Sequence, residues 1–211
     1  MTSLSHKLHR TFTMQKFWLL QKHVHNYSFI HINKCGGTSV EKLLSIPKVH
    51  DTAGQRIKIL GRNRWDERYT FTIIRHPYAK VMSHYNYRIK KNQTELATKK
   101  IKLNEWIKMT YGDQDAKFFD KPLMFAPCFD WVTFEDKVVV KKIIKLEEIG
   151  TKWGEVCLNI GIPERPLSQR NKTHNSTIEM AIQNMDKEAL SIINHRFRND
   201  FNYFKYDSIN L

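Results

Sequence analysis

The sequence predicts a single α/β domain, and three observations support this class. The chain has 211 residues, a length that suits one domain with its own core. Residues 29–32 form a short apolar run that breaks into a glycine turn and then a helical pattern. Residues 69–74 form a β-branched and aromatic run that leads into a second helical pattern. Two strand-turn-helix units of this kind indicate a mixed α/β core.

The turn after the first strand carries a lysine, two glycines and two hydroxyl residues: Lys34, Gly36, Gly37, Thr38 and Ser39. The two hydroxyl residues are expected to cap the helix that follows. Glycines let backbone N–H groups approach an oxyanion, and the positive end of the helix dipole points at it. The turn is therefore predicted to bind a phosphate. Its lysine precedes the glycines, so it is not the ordinary loop for nucleoside triphosphates.

The second unit is predicted to provide another anion site. A short helix is expected over residues 53–60, followed by a break at 61–63 and then the strand at 69–74. Arg75 lies at the end of that strand, and Pro77 suits the first turn of a helix. Ser83 lies two turns along this helix and is expected to face back toward the strand end.

The next part of the chain is predicted to be rich in loops. Residues 90–102 are polar and are expected to form a solvated loop, and residues 103–109 a short helix. Residues 111–130 carry glycine, prolines and aromatic residues that we expect to be exposed, so this region is a candidate lining for an acceptor cleft.

The remainder is predicted to complete the sheet and its helices. Residues 138–144 read as a strand or strand pair, and residues 146–160 as a helix with one apolar face. Residues 163–175 form a basic loop, and residues 177–204 are helical in pattern. The chain then ends in an aromatic cluster that we expect to be packing residues: Phe197, Phe201, Tyr203, Phe204 and Tyr206.

Charge and cysteine content limit the classes of partner and site. The 35 Lys and Arg against 21 Asp and Glu give a net charge of +14, which predicts an anionic partner such as a nucleotide, nucleic acid, acidic membrane or acidic polysaccharide. Cys35, Cys128 and Cys157 are widely spaced, so neither a disulfide framework nor a metal site is indicated. Cys35 beside Lys34 reads as a small residue that fills the turn, with a reactive thiol as the alternative.

The turn resembles the 5′-phosphosulfate loop of the sulfotransferase superfamily, in its carbohydrate branch of heparan and chondroitin type, sulfotransferase family 2. The family pattern is Ile-Pro-Lys-Thr-Gly-Gly-Thr-Ser, from which Asn33 and Cys35 depart. The segment from Arg75 resembles the 3′-phosphate element of the same family. Arg75, Pro77 and Ser83 match there, and so does Tyr85. His76 replaces the usual Asp or Asn, and Lys80 stands where Arg is common.

This resemblance implies a fold, a donor and an acceptor. The fold would be a central parallel sheet flanked by helices, of the P-loop nucleotide-binding type. The donor would be 3′-phosphoadenosine-5′-phosphosulfate (PAPS), with adenosine 3′,5′-bisphosphate as product. The acceptor would be a hydroxyl of an oligosaccharide, polysaccharide or glycolipid, as in polysaccharide biosynthesis. No metal and no nucleic acid are expected. Acceptor identity and oligomeric state are not encoded in any motif.

The resemblance also suggests which residues act. Lys34 would stabilise the leaving phosphate, and Arg75 with Ser83 would bind the 3′-phosphate. The family branch often has a histidine where His50 stands, and a neutral imidazole suits a general base at pH 7. The alternatives for the base are His76, His84 and Glu41. The segment Asn171-Lys172-Thr173 stands where the family has a segment that folds over the nucleotide.

Two other function classes stay open at this point. A P-loop kinase would share the strand-turn-helix but requires a Walker A order and a carboxylate for Mg²⁺. A non-catalytic basic module for nucleic acid or acidic glycan would explain the charge but not the glycine pair.

The N-terminal region bears on location. Residues 1–25 read as a basic leader, with a short helix around 14–21, before a single sulfotransferase domain over 26–211. The longest apolar run of the leader, residues 17–20, is far shorter than the roughly 20 residues that span a bilayer. We therefore expect a cytoplasmic, bacterial protein, or a Golgi-lumen protein if a membrane anchor precedes the chain.

Overall fold

A computed structural model describes residues 2–167 and 177–210. The chain forms two compact units. The first contains residues 1–74 and 131–170, and the second contains residues 75–130 and 171–211. The predicted mixed α/β class is confirmed, because the first unit holds a small parallel sheet with helices around it.

The described residues contain five strands in two sheets. In chain order the strands are β1 (Tyr27–Ile30), β2 (Tyr69–Ile74), β3 (Thr133–Phe134), β4 (Lys137–Val138) and β5 (Lys142–Lys145). The strands β1, β2 and β5 pair in parallel in that order, while β3 and β4 form an antiparallel pair. Ile30 lies opposite Thr72, and the Thr72 hydroxyl donates a hydrogen bond of 2.7 Å to the Ile30 carbonyl. The strands β1 and β2 are almost fully buried, as expected for a parallel sheet that is covered on both faces.

The helices connect and cover these strands. In chain order the α-helices of the described part are α1 (Thr2–His23), α2 (Gly37–Leu43), α3 (Ala53–Leu60), α4 (Arg62–Glu67), α5 (Pro77–Lys90), α6 (Leu103–Ile107), α7 (Pro122–Phe125), α8 (Cys128–Val132), α9 (Ile149–Ile160), α10 (Ile178–Asn184), α11 (Lys187–Arg196) and α12 (Arg198–Phe204). A single π-helical turn, Lys108–Gly112, continues α6. The helix α3 has its predicted bounds because Thr52 and Gln55 form a capping box at its start.

The first unit has its core on the sheet. Phe29 and Phe71 come from neighbouring strands, and their ring centroids are 5.0 Å apart. Val40 of α2 and Trp153 of α9 belong to the same buried cluster. The predicted apolar face of residues 146–160 is therefore confirmed as the face of α9 that packs against the sheet.

The second unit has an aromatic core, which corrects one prediction. The composition of residues 111–130 predicted exposed aromatic residues. In the structure, Tyr111, Phe118 and Phe125 are instead buried in one cluster with Trp106. Gly112 is the last residue of the π-helical turn and Pro122 is the first residue of α7, so these residues mark the ends of short helical elements, and the aromatic rings between them are packed into the core. Tyr111, Phe118 and Phe125 are therefore core residues, and the partly buried Phe119 packs against the same cluster.

Other expectations differ in extent. The N-terminal helix α1 spans 22 residues and exceeds the short helix that was predicted at 14–21. The break at 61–63 is a junction at which Gly61, with φ 86°, ends α3 and begins α4. The pattern at 138–144 divides between β4 and β5, which belong to different sheets. In the C-terminal cluster Phe197, Phe201 and Phe204 are buried and Tyr206 packs on the core, whereas Tyr203 is 52% exposed.

Candidate active site

The predicted phosphate turn lies between β1 and α2. Lys34 has φ 63° and Gly36 has φ 83°, so two left-handed residues occur within three positions. The Ser39 N–H donates to the Gly36 carbonyl at 3.2 Å and closes the turn. Successive N–H groups in turns of this kind form concave anion sites. Cys35 is fully buried within the turn, which agrees with its interpretation as a small filling residue.

The two glycines are required for different reasons. Gly36 needs glycine for its positive φ, and a Cβ there would lie 2.7 Å from Leu146 Cδ1. Gly37 is the first residue of α2 and does not have a positive φ. Glycine is required there because a side chain would not fit. A Cβ at Gly37 would lie 2.2 Å from Cδ2 of the His31 ring. The loop and the ring below it are therefore packed in direct contact.

The expectation that Thr38 and Ser39 cap α2 is wrong. The N-cap is Gly36, in the left-handed conformation and without a side-chain capping bond, so the helix begins earlier than the hydroxyl pattern suggested and its N-cap lies two residues before Thr38. Thr38 is exposed, and Ser39 and Lys34 are partly exposed. The polar groups that were predicted to bind a phosphate thus lie in the first helical turn and in the loop, where solvent reaches them.

A buried histidine and glutamate lie directly beneath this turn. His31 and Glu41 are 4% and 5% exposed, and the His31 Nδ1 to Glu41 Oε1 distance is 2.5 Å. Glu41 lies on α2, so this hydrogen bond joins the end of β1 to the helix. Among the alternative bases of the sequence analysis, Glu41 is therefore already used internally.

His50 lies beside this pair. Its Nδ1–H donates to the His31 carbonyl at 3.0 Å, and the His31 and His50 ring centroids are 4.4 Å apart. The carbonyl can only accept, so the proton sits on Nδ1 and the Nε2 lone pair is available as an acceptor. Burial lowers the pKa of His50, and the hydrogen bond to His31 opposes this effect only in part. A neutral His50 with an accepting Nε2 has the chemical form of a general base.

Arg56 holds the segment after His50 and was missed by the sequence analysis. Its guanidinium is 3.2 Å from the Asp51 carboxylate and lies over the Trp18 ring at 4.7 Å. Burial lowers the pKa of Arg56 to about 10, against the opposing effect of Asp51. The helical spacing of buried residues at 53, 57 and 60 includes position 56 on the same face, which is the signal that could have identified it.

In the second unit, Arg75 is the residue that follows β2, and Pro77 begins α5 as predicted. Arg75 is partly exposed and Ser83 is 5% exposed, on the second turn of α5.

Lys80, at the position where the family commonly has Arg, is 3% exposed and donates to the Ala126 carbonyl at 2.6 Å. The Tyr85 hydroxyl donates to the Ile101 carbonyl at 2.7 Å. Lys80 and Tyr85 thus support the second unit internally.

The remaining candidates for the base have structural surroundings. His76 Nε2 donates to the Asp207 carbonyl at 3.1 Å, and the ring lies against Tyr78 and Tyr206. His84 is 6% exposed and stacks on Phe125 at 4.8 Å. His50 therefore has the environment best suited to a base among the candidates.

The segment Asn171-Lys172-Thr173 lies outside the described residues.

Comparison with known proteins identifies the family. Residues 18–207 match the sulfotransferase family, and this range covers most of the chain. The chain belongs to the sulfotransferase family. It is therefore a transferase that requires a sulfonate donor and an acceptor. Searches of curated proteins and of solved structures gave no match.

Two features of the described residues complete the description of this sulfotransferase. Across residues 2–167 and 177–210, no helix is long and apolar enough to cross a membrane. The same residues contain no group of three or more His, Cys, Asp or Glu that could hold a metal ion.

Proposed function

We propose that this sulfotransferase moves the sulfuryl group of PAPS to a hydroxyl of a carbohydrate. The observation that carries the proposal is the segment from Lys34 to Ser39, in which a turn with two left-handed residues is followed directly by the solvent-reached hydroxyls of Thr38 and Ser39 at the start of α2. Sulfuryl transfer resembles phosphoryl transfer, in which positioning and charge stabilisation supply most of the catalysis. The proposal includes a P-loop type of nucleotide-binding fold and a single sulfotransferase domain over 26–211 that follows the leader at 1–25.

The donor-binding roles follow from the chemistry of each end of PAPS. The 5′-phosphosulfate would be bound by the turn and the start of α2, through Lys34, Gly36, Gly37, Thr38 and Ser39. The 3′-phosphate would be bound by the Arg75 guanidinium and the Ser83 hydroxyl, since a guanidinium fork matches phosphate oxygens. This 3′-phosphate distinguishes PAPS from ATP, and its recognition separates the proposed activity from that of a kinase.

In the proposed transfer step, His50 accepts the proton of the acceptor hydroxyl and Lys34 stabilises the leaving phosphate. The acceptor hydroxyl oxygen forms a bond to sulfur while the bond between sulfur and the bridging oxygen of the 5′-phosphate breaks. The hydroxyl proton passes to Nε2 of His50, whose Nδ1–H stays bonded to the His31 carbonyl. The negative charge that develops on the leaving phosphate is stabilised by Lys34 and the N–H groups of the turn. Lys34 and His50 are thus the proposed catalytic residues.

The carbohydrate acceptor is supported by the resemblance to the carbohydrate branch and by the charge. A net charge of +14 favours acidic partners, because it attracts them over a Debye length of about 8 Å at physiological salt. An acidic oligosaccharide, polysaccharide or glycolipid fits both observations.

A transfer assay tests this proposal. The protein is incubated with PAPS that carries radiolabelled sulfate and with a panel of neutral and acidic glycans, and label in the glycan is measured. We expect label in one class of glycan, and no phosphate transfer when labelled ATP replaces PAPS. Phosphate transfer from ATP, or no label in any glycan from PAPS, would contradict the proposal.

A further inference from the structure

We propose that His31 and Glu41 form a positioning pair, which holds the Lys34–Gly37 turn and His50 in their reactive arrangement. This inference rests on the proposed function, and it assigns to the pair a role that is separate from contact with either substrate. Three contacts of one residue, His31, carry it. Each joins His31 to a different part of the site.

The first contact fixes the helix to the strand end. The His31 Nδ1–H donates to Glu41 Oε1 at 2.5 Å, and both side chains are buried. Glu41 lies within α2, four residues after Gly37. A short bond between a buried ring and a buried carboxyl leaves α2 little freedom to shift relative to β1.

The second contact fixes the turn. The Cδ2 and Nε2 edge of the His31 ring lies against Gly37, so closely that a Cβ on Gly37 would be 2.2 Å from Cδ2 and 2.6 Å from Nε2. The ring therefore packs directly against Gly37, whose N–H belongs to the proposed phosphate site. Because the hydrogen bond to Glu41 holds the other edge of the ring, the ring has little freedom to move away from Gly37.

The third contact fixes the tautomer of the base. The His31 carbonyl accepts the Nδ1–H of His50 at 3.0 Å, which leaves Nε2 of His50 as the proton acceptor. A histidine whose second nitrogen is held by an orienting partner is a recurring arrangement for a general base. His31 thus supports the turn with its ring and the base with its backbone.

Stability alone is a poor explanation for this pair. Burial of a histidine and a carboxyl requires their removal from water, and apolar residues of the same volume are often equally stabilising or better. A buried polar pair is therefore better explained by the geometry that it imposes. The same argument predicts that its loss affects turnover more than the loss of an equally buried polar contact elsewhere in the first unit.

The first test compares three variants in the proposed transfer assay. Glu41→Met removes the carboxyl at similar length, and we expect kcat to fall about 100-fold, as for a displacement of reacting groups by about 1 Å. Glu41→Gln keeps an oxygen that accepts from His31 Nδ1–H, and we expect it to recover most of that loss. Gln21→Met is the matched control, because it removes the buried hydrogen bond from Ser28 Oγ of β1 to Gln21 Oε1 of α1, which also joins β1 to a helix of the first unit. We expect it to lower the melting temperature without lowering kcat.

The second test is independent of activity and of any variant that fails to fold. Long-range ¹H–¹⁵N NMR spectra of the unmodified protein report which ring nitrogen of each histidine carries the proton. We expect Nδ1–H on both His31 and His50, with Nε2 of His50 unprotonated at neutral pH.

An Nε2–H tautomer of His50 would overturn the inference. So would a Glu41→Met variant that keeps wild-type kcat, or a Gln21→Met variant that loses as much kcat as Glu41→Met. If the unmodified protein transfers no sulfate, the proposed function fails, and the tautomers still decide whether His31 bonds Glu41 through its ring and orients His50 through its carbonyl.

Discussion

The substitution Gly37→Ala tests the packing of the phosphate turn on the His31 ring. The new Cβ would lie 2.2 Å from His31 Cδ2, whereas ordinary van der Waals contact begins at 3.4 Å. The His31 ring is 4% exposed and is held by a hydrogen bond to Glu41, so it has little freedom to move. The start of α2 must therefore move by about 1.2 Å to remove the clash between the new Cβ and the ring. A displacement of about 1 Å at a reacting centre can reduce the rate about 100-fold.

The assay measures kcat for sulfate transfer together with the Kd for adenosine 3′,5′-bisphosphate. We expect kcat to fall about 100-fold and product binding to weaken, because both depend on the position of the turn. Gly150→Ala is the control, since a Cβ on Gly150 meets nothing within 4 Å on the helix α9. Wild-type kcat and Kd in Gly37→Ala would refute the argument that the ring sets the position of the turn.

Four further predictions address the proposed roles of Lys34, Arg75 and His50. Lys34→Ala should lower kcat by about 10²–10³-fold with an unchanged circular dichroism spectrum, because it removes charge stabilisation of the leaving phosphate; a smaller loss than tenfold would remove that role from Lys34. Arg75→Ala should raise the calorimetric Kd for adenosine 3′,5′-bisphosphate by about 10- to 100-fold, and Arg75→Lys should restore only part of the affinity, since it lacks the planar fork; unchanged affinity in both variants would move the 3′-phosphate site elsewhere. His50→Ala should lower kcat by about 10²–10⁴-fold with near-normal product affinity. In the wild type, kcat should be constant near pH 7 and decrease as pH falls through a value below the usual histidine pKa of 6.5, because the lowered pKa keeps His50 neutral until then; a kcat that increases toward acid pH would contradict a neutral base.

The elements around the turn were predictable because their signals are local. The apolar run before Asn33, the glycine pair and the β-branched strand at 69–74 each fix a conformation through neighbours in sequence. Pro77 marked the start of α5 for the same reason. The sequence predicted these parts of the fold with little help from long-range contacts.

The support beneath the turn was not predictable, because it depends on contacts between elements. His31 and Glu41 are ten residues apart and meet only after the chain reverses at the turn. The role of Arg56 likewise depends on α1 and on Asp51. In the second unit, the aromatic residues of 111–125 were expected to be exposed because their neighbours are turn residues, yet tertiary packing buries them. Charge and polarity in one sequence indicate which groups are available, whereas burial decides which of them are structural.

Calorimetric titration of the unmodified protein with adenosine 3′,5′-bisphosphate tests the central claim most directly. ADP and adenosine 5′-phosphate serve as comparison ligands, because both lack the 3′-phosphate that Arg75 and Ser83 are proposed to bind. The account predicts saturable binding of the bisphosphate at one site per chain, with clearly weaker binding of the other two nucleotides. Equal affinity for all three nucleotides, or no saturable binding of the bisphosphate, would contradict it.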